Sequence, residues 1–219
     1  VTPRLLYGGT FDPVHAGHLA VARAASEALG VDVAFVPAAD PPHRAAPGAS
    51  AQQRVAMLEL AVQGEPGMSV DRRELNRSGP SFTVDTLRGL RAESAAGAPL
   101  AWLIGADAFR GLPQWHDWRE LFGLAHFVIA VRPGHDLEPL PPALAQASNG
   151  RWCRTPSPLR AEPAGRLYRL DMPLHPASAT ELRRRLQAGE PHGGWLAPGV
   201  AAFIAGNGLY RAGTGLAGV

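Results

Sequence analysis

The sequence predicts an α/β fold: a doubly wound parallel sheet with helices on both faces and a small C-terminal helical segment. Three observations predict it. Short apolar runs alternate with amphipathic stretches along the chain. Two of the runs, at residues 100–104 and 126–131, are apolar almost throughout, as strands are when helices cover both faces of a sheet. At 219 residues and 46% hydrophobic content, the chain can bury one sizeable core.

Residues 4–7 read as the first strand, ended by Gly8-Gly9. Leu19, Ala22, Ser26 and Leu29 then recur at helical spacing, and Gly30 closes that helix. Residues 31–36 form a strand run stopped by Pro37, and Val55, Leu58 and Val62 mark a second helix. A short strand is predicted at 68–71. A third helix carries Val84, Leu87 and Leu90 and follows Ser78-Gly79-Pro80-Ser81. Trp-rich sequence at 112–124 separates the two buried strands. The Pro-rich tract from Pro133 to Pro163 reads as a long loop with weak internal structure. Residues 166–170 give a last strand, and helices near 178–188 and 198–205 close the chain. No repeat or interdomain linker interrupts it. The expectation is a single domain over 1–219, with its core over about 1–175 and a helical part over about 176–219.

The charge inventory excludes several chemistries. The net charge is only +2, but all 21 basic residues are arginine. Without lysine there is no Schiff base and no P-loop. Most of the arginine content reads as compositional bias, visible also in 25 Gly and 21 Pro. Particular arginines, always charged and able to fork onto phosphate oxygens, suit phosphorylated ligands. They are scattered, with no basic stripe or aromatic RNA-binding motif, which argues against a nucleic-acid partner. Cys153 is the single cysteine, so an internal disulfide and a cysteine metal cluster are excluded. No apolar run approaches the roughly 18 residues of a membrane span, and VTPRLLYGG lacks a signal-peptide pattern; a cytoplasmic location is expected.

The chemistry concentrates in YGGTFDPVHAGHLAVA, residues 7–22. A glycine pair after a first strand lets an anion approach the backbone, and the following helix offers it unpaired N–H groups. The segment is neither a dinucleotide fingerprint nor a P-loop. It carries His15-Ala16-Gly17-His18 instead, whose spacing puts two imidazoles on one face of a first helical turn. Gly17 removes a side chain that would crowd a ligand there. A metal pair needs a third ligand, and only Asp12 is near. A helix cap plus a packed ring explains one histidine better than two beside three glycines. The favoured reading is a phosphate-handling pair, donating hydrogen bonds to oxygens that gain charge during phosphoryl or nucleotidyl transfer.

The stretch from Gly8 to Leu19 resembles the signature of the nucleotidyltransferase superfamily with an H-x-G-H motif. Within it, the chain is similar to the bacterial nicotinate mononucleotide adenylyltransferases. Further segments agree in the family's order: Pro41-Pro42-His43-Arg44, Ser78 to Leu87, Ile104-Gly105-Ala106-Asp107, Leu112-Pro113-Gln114-Trp115, Val131-Arg132-Pro133-Gly134, Ser178 to Arg183, and Asn207-Gly208-Leu209-Tyr210. The first motif fixes the superfamily; the ordered set is more specific. The resemblance implies a Rossmann-like fold and adenylyl transfer from ATP to nicotinate mononucleotide, with Mg2+ carried by the triphosphate and no metal ligand supplied by the chain. The same chemistry on nicotinamide mononucleotide or phosphopantetheine, and a non-catalytic nucleotide-binding regulatory module, are the alternatives. Oligomeric state is left open.

The resemblance also implies site residues. His15 and His18 are the catalytic pair. ATP is expected on Gly8, Gly9, Thr10, Phe11, Gly17 and His18, with Ser178, Thr180 and Arg183 on the triphosphate and Arg132 facing the nucleotide. Nicotinate mononucleotide is expected on Asp12, His43, Arg44, Thr83, Gly105, Asp107 and Trp115. Arg44 stands where lysine is common in the family, and His116 where tyrosine is. From the residues themselves, Ser178 and Glu181 have the spacing of a capping box, a helix start that presents free amides to an anion. Ser81 reads as another N-cap, placing the amides of Phe82, Thr83 and Val84 where a nicotinate carboxylate fits. Trp115 offers a flat face for a pyridine ring. His135-Asp136 lacks a nucleophile motif and reads as loop.

Overall fold

The structure, a computed structural model, describes residues 1–40, 48–132, 137–172 and 175–211. His43, Arg44, His135 and Asp136 lie outside the described residues.

Seven strands form one sheet: β1 (Arg4–Gly9), β2 (Val33–Pro37), β3 (Met68–Val70), β4 (Leu100–Gly105), β5 (His126–Val131), β6 (Trp152–Cys153) and β7 (Leu167–Asp171). Their order is β3-β2-β1-β4-β5-β7-β6, and every neighbouring pair is parallel. The order reverses between β1 and β4, so a crevice opens beyond their carboxyl ends, where open α/β sheets bind ligands. This is the Rossmann-like doubly wound arrangement that the alternation predicts.

Each strand faces two cores, because successive side chains point to opposite sides. Leu5, Leu103, Val128 and Ala130 face one cluster, closed by α1 (Ala16–Leu29), α2 (Ala51–Val62), α8 (Ala179–Ala188) and α9 (Pro198–Gly206). Leu6, Trp102, Ile104, Phe127 and Ile129 face the other, closed by α3 (Thr83–Glu93), α4 (Ala106–Arg110), α5 (Leu121–Leu124) and α6 (Pro142–Ser148). The C-terminal helices share a core with the sheet through Leu182, Val200 and Ile204.

The Pro-rich tract departs from the loop expected of it. Besides α6 it holds strand β6 and the short helix α7 (Pro158–Ala161). Pro142 and Pro158 occupy first helical positions, where a missing N–H costs nothing. Leu144 and Leu159, both fully buried, pin the two helices to the core. Periodicity misses them because each is too short to repeat a pattern. Ser81 also departs from expectation. The N-cap of α3 is Phe82, while Ser81 Oγ accepts from the Ala39 and Asp40 amides at 2.9 and 3.1 Å, tying the end of β2 to the start of α3.

Gly8 and Gly9 are required by the chain's own aromatic rings. A Cβ on Gly8 would lie 2.1 Å from Trp102 Cζ2, and one on Gly9 would lie 2.8 Å from Phe11 Cζ. Trp102 is 2% exposed and cannot yield. Gly8→Ala is therefore expected to cost about 1–3 kcal/mol through overpacking, read as a lower urea midpoint with an unchanged m-value.

His126, at the start of β5, is fully buried with both ring nitrogens engaged. Nε2 pairs with Glu162 O at 2.8 Å, and Nδ1 accepts from the Arg166 amide at 3.0 Å. Burial lowers its pKa below the ordinary 6.5. The folded ring stays neutral while the unfolded ring takes a proton, so stability is full above pH ~6.5 and falls below it, by at most about 1.4 kcal/mol per pH unit. Urea midpoints are expected to drop between pH 7.5 and 5.5, and His126→Gln is expected to make that slope shallower by its own share, the buried His15 contributing in the same window.

Candidate active site

The segment from Thr10 to His15 turns from β1 into α1 at the mouth of the sheet. His15 is the N-cap of α1, with extended backbone, and His18 stands three residues into the helix. Their rings stack with centroids 3.8 Å apart and an interplanar angle of 28°. The His15 amide donates to His18 Nδ1 at 3.3 Å, which orients the second ring by the backbone of the first. His18 also meets Phe11 edge-on at 5.1 Å. Gly17 makes room for this pair. A Cβ there would lie 3.0 Å from His15 Nδ1 and 3.1 Å from Ala177 O.

His15 is 3% exposed, and its Nδ1 has no hydrogen-bond partner among the described residues. Burial, with Arg132 and His175 adding positive charge nearby, pushes its pKa down to about 3. At neutral pH the ring is uncharged, so it can offer an N–H but no formal charge. Arg132, just beyond β5, reaches the same place: it also bears on Tyr7, whose hydroxyl burial holds well above the ordinary range.

Helix α8 begins against the start of α1, through Ala177 O beside Gly17. Ser178 caps it, its Oγ accepting from the Glu181 amide at 3.2 Å. The reciprocal half of the expected capping box is missing, because Glu181 turns its carboxylate to Arg184 and Arg185. Those two pairs hold the Glu181 carboxyl down at about 2. Thr180 is exposed in the first turn of α8. Arg183, one turn in, donates from Nη1 to Asp12 O at 2.6 Å, so its guanidinium is aimed from α8 onto the β1–α1 loop.

Asp12 was expected to face nicotinate mononucleotide, yet its carboxylate is turned inward and 7% exposed. Oδ2 accepts from the Gly48 amide at 2.8 Å. Oδ1 accepts from the Ala49 amide at 3.2 Å and from Tyr210 Oη at 2.5 Å. The residue ties three parts of the chain together, a satisfied buried carboxylate rather than an open one. Arg54, 1% exposed, supports the same loop by donating to Thr10 O at 2.7 Å, Ala39 O at 3.0 Å and Ala49 O at 3.3 Å. Burial lowers its pKa, and Asp12 and Tyr210 oppose that shift.

The remaining predicted residues gather along the carboxyl edge. Gly105 ends β4 and caps α4, with open space where a Cβ would be. Asp107 is exposed in the first turn of α4. Thr83 opens α3 next to Phe82, and Trp115 follows the 3-10 turn Leu112–Gln114, half-buried against the second core. The two segments meet through the rings of Phe82 and His116, 4.4 Å apart, and through Arg88, which reaches from α3 to Asp117 and Glu120. Among the described residues no group of three or more His, Cys, Asp and Glu could hold a metal ion.

Sequence reasoning missed His175, Arg54 and Tyr210 as parts of this site. Arg54 carried a signal, a charge four residues before Leu58 on an apolar helical face. Tyr210 lies in a quoted motif, but its partner is 198 residues away. His175 has no periodic or motif signal.

Comparison with known proteins places the chain in a family. The cytidylyltransferase-like family model matches residues 6–185. A probable nicotinate-nucleotide adenylyltransferase of Stenotrophomonas maltophilia is 54% identical over 217 residues, covering 96% of this chain and 98% of the relative. One from Xylella fastidiosa is 48% identical over 211 residues, covering 94% and 95%. In fold, the chain is similar to a Plasmodium falciparum nicotinic acid mononucleotide adenylyltransferase complexed with NaAD, with TM-score 0.73 and 15% identity over 96% of this chain and 98% of that one. With the family model spanning most of the sheet and relatives 54% and 48% identical running nearly end to end, the chain belongs to the cytidylyltransferase-like family, in its nicotinate-nucleotide adenylyltransferase branch.

Proposed function

We propose that this chain transfers the adenylyl group of ATP to nicotinate mononucleotide, giving nicotinate adenine dinucleotide and pyrophosphate, as a step of NAD biosynthesis. The observation that carries the reading is the stacked His15–His18 pair set against the start of α8 and Arg183, at the crevice beyond β1 and β4. A phosphate oxygen of the mononucleotide attacks the α-phosphorus in line. The bond to the bridging oxygen breaks, and pyrophosphate leaves with the electron pair. The attacking phosphate is already anionic, so no general base is needed and no covalent enzyme intermediate forms. Such transfers depend on positioning and on donors preorganised toward developing charge.

His15, uncharged in its buried site, and His18 donate N–H groups to the transferring and leaving phosphates, and Arg183 supplies formal charge beside the α8 amides, with Ser178 and Thr180. Gly8 to Phe11 and Arg132 bound the nucleotide at the sheet edge. The start of α3 at Thr83 receives the nicotinate carboxylate, and Trp115 stacks on the ring, with Gly105 and Asp107 on the ribose side. Asp12 belongs to the scaffold of this site. Mg2+ arrives on the triphosphate as part of the substrate, consistent with its preference for phosphate and water over all-protein cages. No described helix is long and apolar enough to cross a membrane, and we place the chain in the cytoplasm as one catalytic domain.

The deciding experiment is pyrophosphate release from ATP and Mg2+, compared across nicotinate mononucleotide, nicotinamide mononucleotide and phosphopantetheine. Release is expected to be fastest with the nicotinate acceptor; equal release with the amide would refute the acceptor assignment. His18→Ala is expected to lower kcat by about 10²–10³ with the urea midpoint little changed. Trp115→Ala is expected to raise KM for nicotinate mononucleotide about tenfold while KM for ATP holds, as loss of a stacking face predicts.

A further inference from the structure

The chain ends its described course by inserting Tyr210 between the β1–α1 loop and the segment before α2. Its ring lies over Gly48, where a Cβ would fall 3.0 Å from Cε1 and 3.1 Å from Cδ1. Its hydroxyl donates to Asp12 Oδ1 at 2.5 Å. The backbone is bent to deliver it: Tyr210 has φ +60°, and Phe11, beside Asp12, has φ +51°. A left-handed conformation is strained for a non-glycine residue and persists only where the surroundings impose it. Strain on both sides of one hydrogen bond, with a missing side chain at Gly48 to admit the ring, marks a built contact.

Arg183 is what that contact protects. Its Nη1 donates to Asp12 O at 2.6 Å and stands 3.8 Å from Asp12 Oδ2, just beyond hydrogen-bond reach. The Gly48 amide on Oδ2, with the Ala49 amide and the Tyr210 hydroxyl on Oδ1, holds the carboxylate at this longer ion-pair distance, so that Arg183 bonds the Asp12 carbonyl rather than the carboxylate. Arg54 fixes the backbone around it through three carbonyls. Without the hydroxyl, the carboxylate would be under-satisfied and free to pivot onto Arg183, competing with any phosphate for the guanidinium.

We propose that Tyr210 is a positioning residue for adenylyl transfer: by anchoring Oδ1 of the Asp12 carboxylate it keeps that group from closing on Arg183 and leaves the guanidinium available to the triphosphate of ATP. The inference rests on the adenylyl-transfer reading. It is specific to ATP, because Arg183, the group it frees, is the one expected on the triphosphate.

The test is a double-mutant cycle with Tyr210→Phe, Asp12→Asn and both together, reading KM for each substrate and kcat from pyrophosphate release. Tyr210→Phe is expected to raise KM for ATP about tenfold, with KM for nicotinate mononucleotide within about twofold and kcat within about threefold. In the Asp12→Asn background, where no carboxylate competes for Arg183, the same substitution is expected to change KM for ATP by less than about twofold. An unchanged KM for ATP in folded Tyr210→Phe, or effects that multiply in the double variant, would overturn the proposal. If Tyr210→Phe is unfolded at the assay temperature, calorimetric affinity for a non-transferable methylene analogue of ATP, measured in the cold on folded protein, decides in the same way. Wild-type chain that releases no pyrophosphate with any acceptor refutes the transfer reading itself, and the analogue affinities still report on Tyr210.

Discussion

The buried carboxylate of Asp12 is the constraint on which the mouth of this sheet depends. A charged group so little exposed is tolerable only when its acceptor sites are filled, and here two amides and a phenol fill them. Because the donors come from the segment before α2 and from the C-terminal end, one side chain joins three stretches far apart in sequence. Arg54 repeats the device with opposite charge, satisfying backbone carbonyls on either side of the same loop. The loop that carries His15 is thereby held from beneath, with its catalytic face left open.

Rigidity of this kind has a chemical purpose. Two imidazoles stacked at 3.8 Å would repel each other if both were protonated, and burial keeps His15 uncharged. A donor fixed in place before a ligand arrives needs no reorganisation as charge develops beside it. The formal charge is supplied from a different element, by Arg183 on α8, whose direction is set by the Asp12 carbonyl. Charge and hydrogen bonding are thus delivered from two helix starts that meet at Gly17 and Ala177.

Much of the fold was legible in the sequence. Six of the seven strands have an apolar or β-branched run long enough to read, and the longer helices carry stripes such as Leu19, Ala22 and Leu29. The failures share one cause. Strand β6 and helices α4, α5, α6 and α7 are seven residues or fewer, too short for a period to declare itself, and each of these helices is held by buried anchors such as Phe109, Leu144 and Leu159. In the site, His15 and His18 were legible because their chemistry is local, a spacing within one helical turn. The meaning of Gly8 and Gly9 was only half legible. Their neighbours turned out to be Trp102 and Phe11, and Trp102 lies on another strand.

By itself the sequence determined the alternation that makes a parallel sheet and the pair of histidines at the turn from its first strand into its first helix. These are local properties, set by periodicity, by turn residues and by spacing along one helix. The tertiary structure alone decided which way the side chains face. Asp12, in the middle of the motif, looks outward on paper and points inward in space, because Gly48, Ala49 and Tyr210 offer it hydrogen bonds that no nearby residue could. Ser81, with the composition of a helix cap, spends its hydroxyl on the end of β2. A polar side chain takes the partners that burial leaves it, and those partners are chosen by the packing of distant segments.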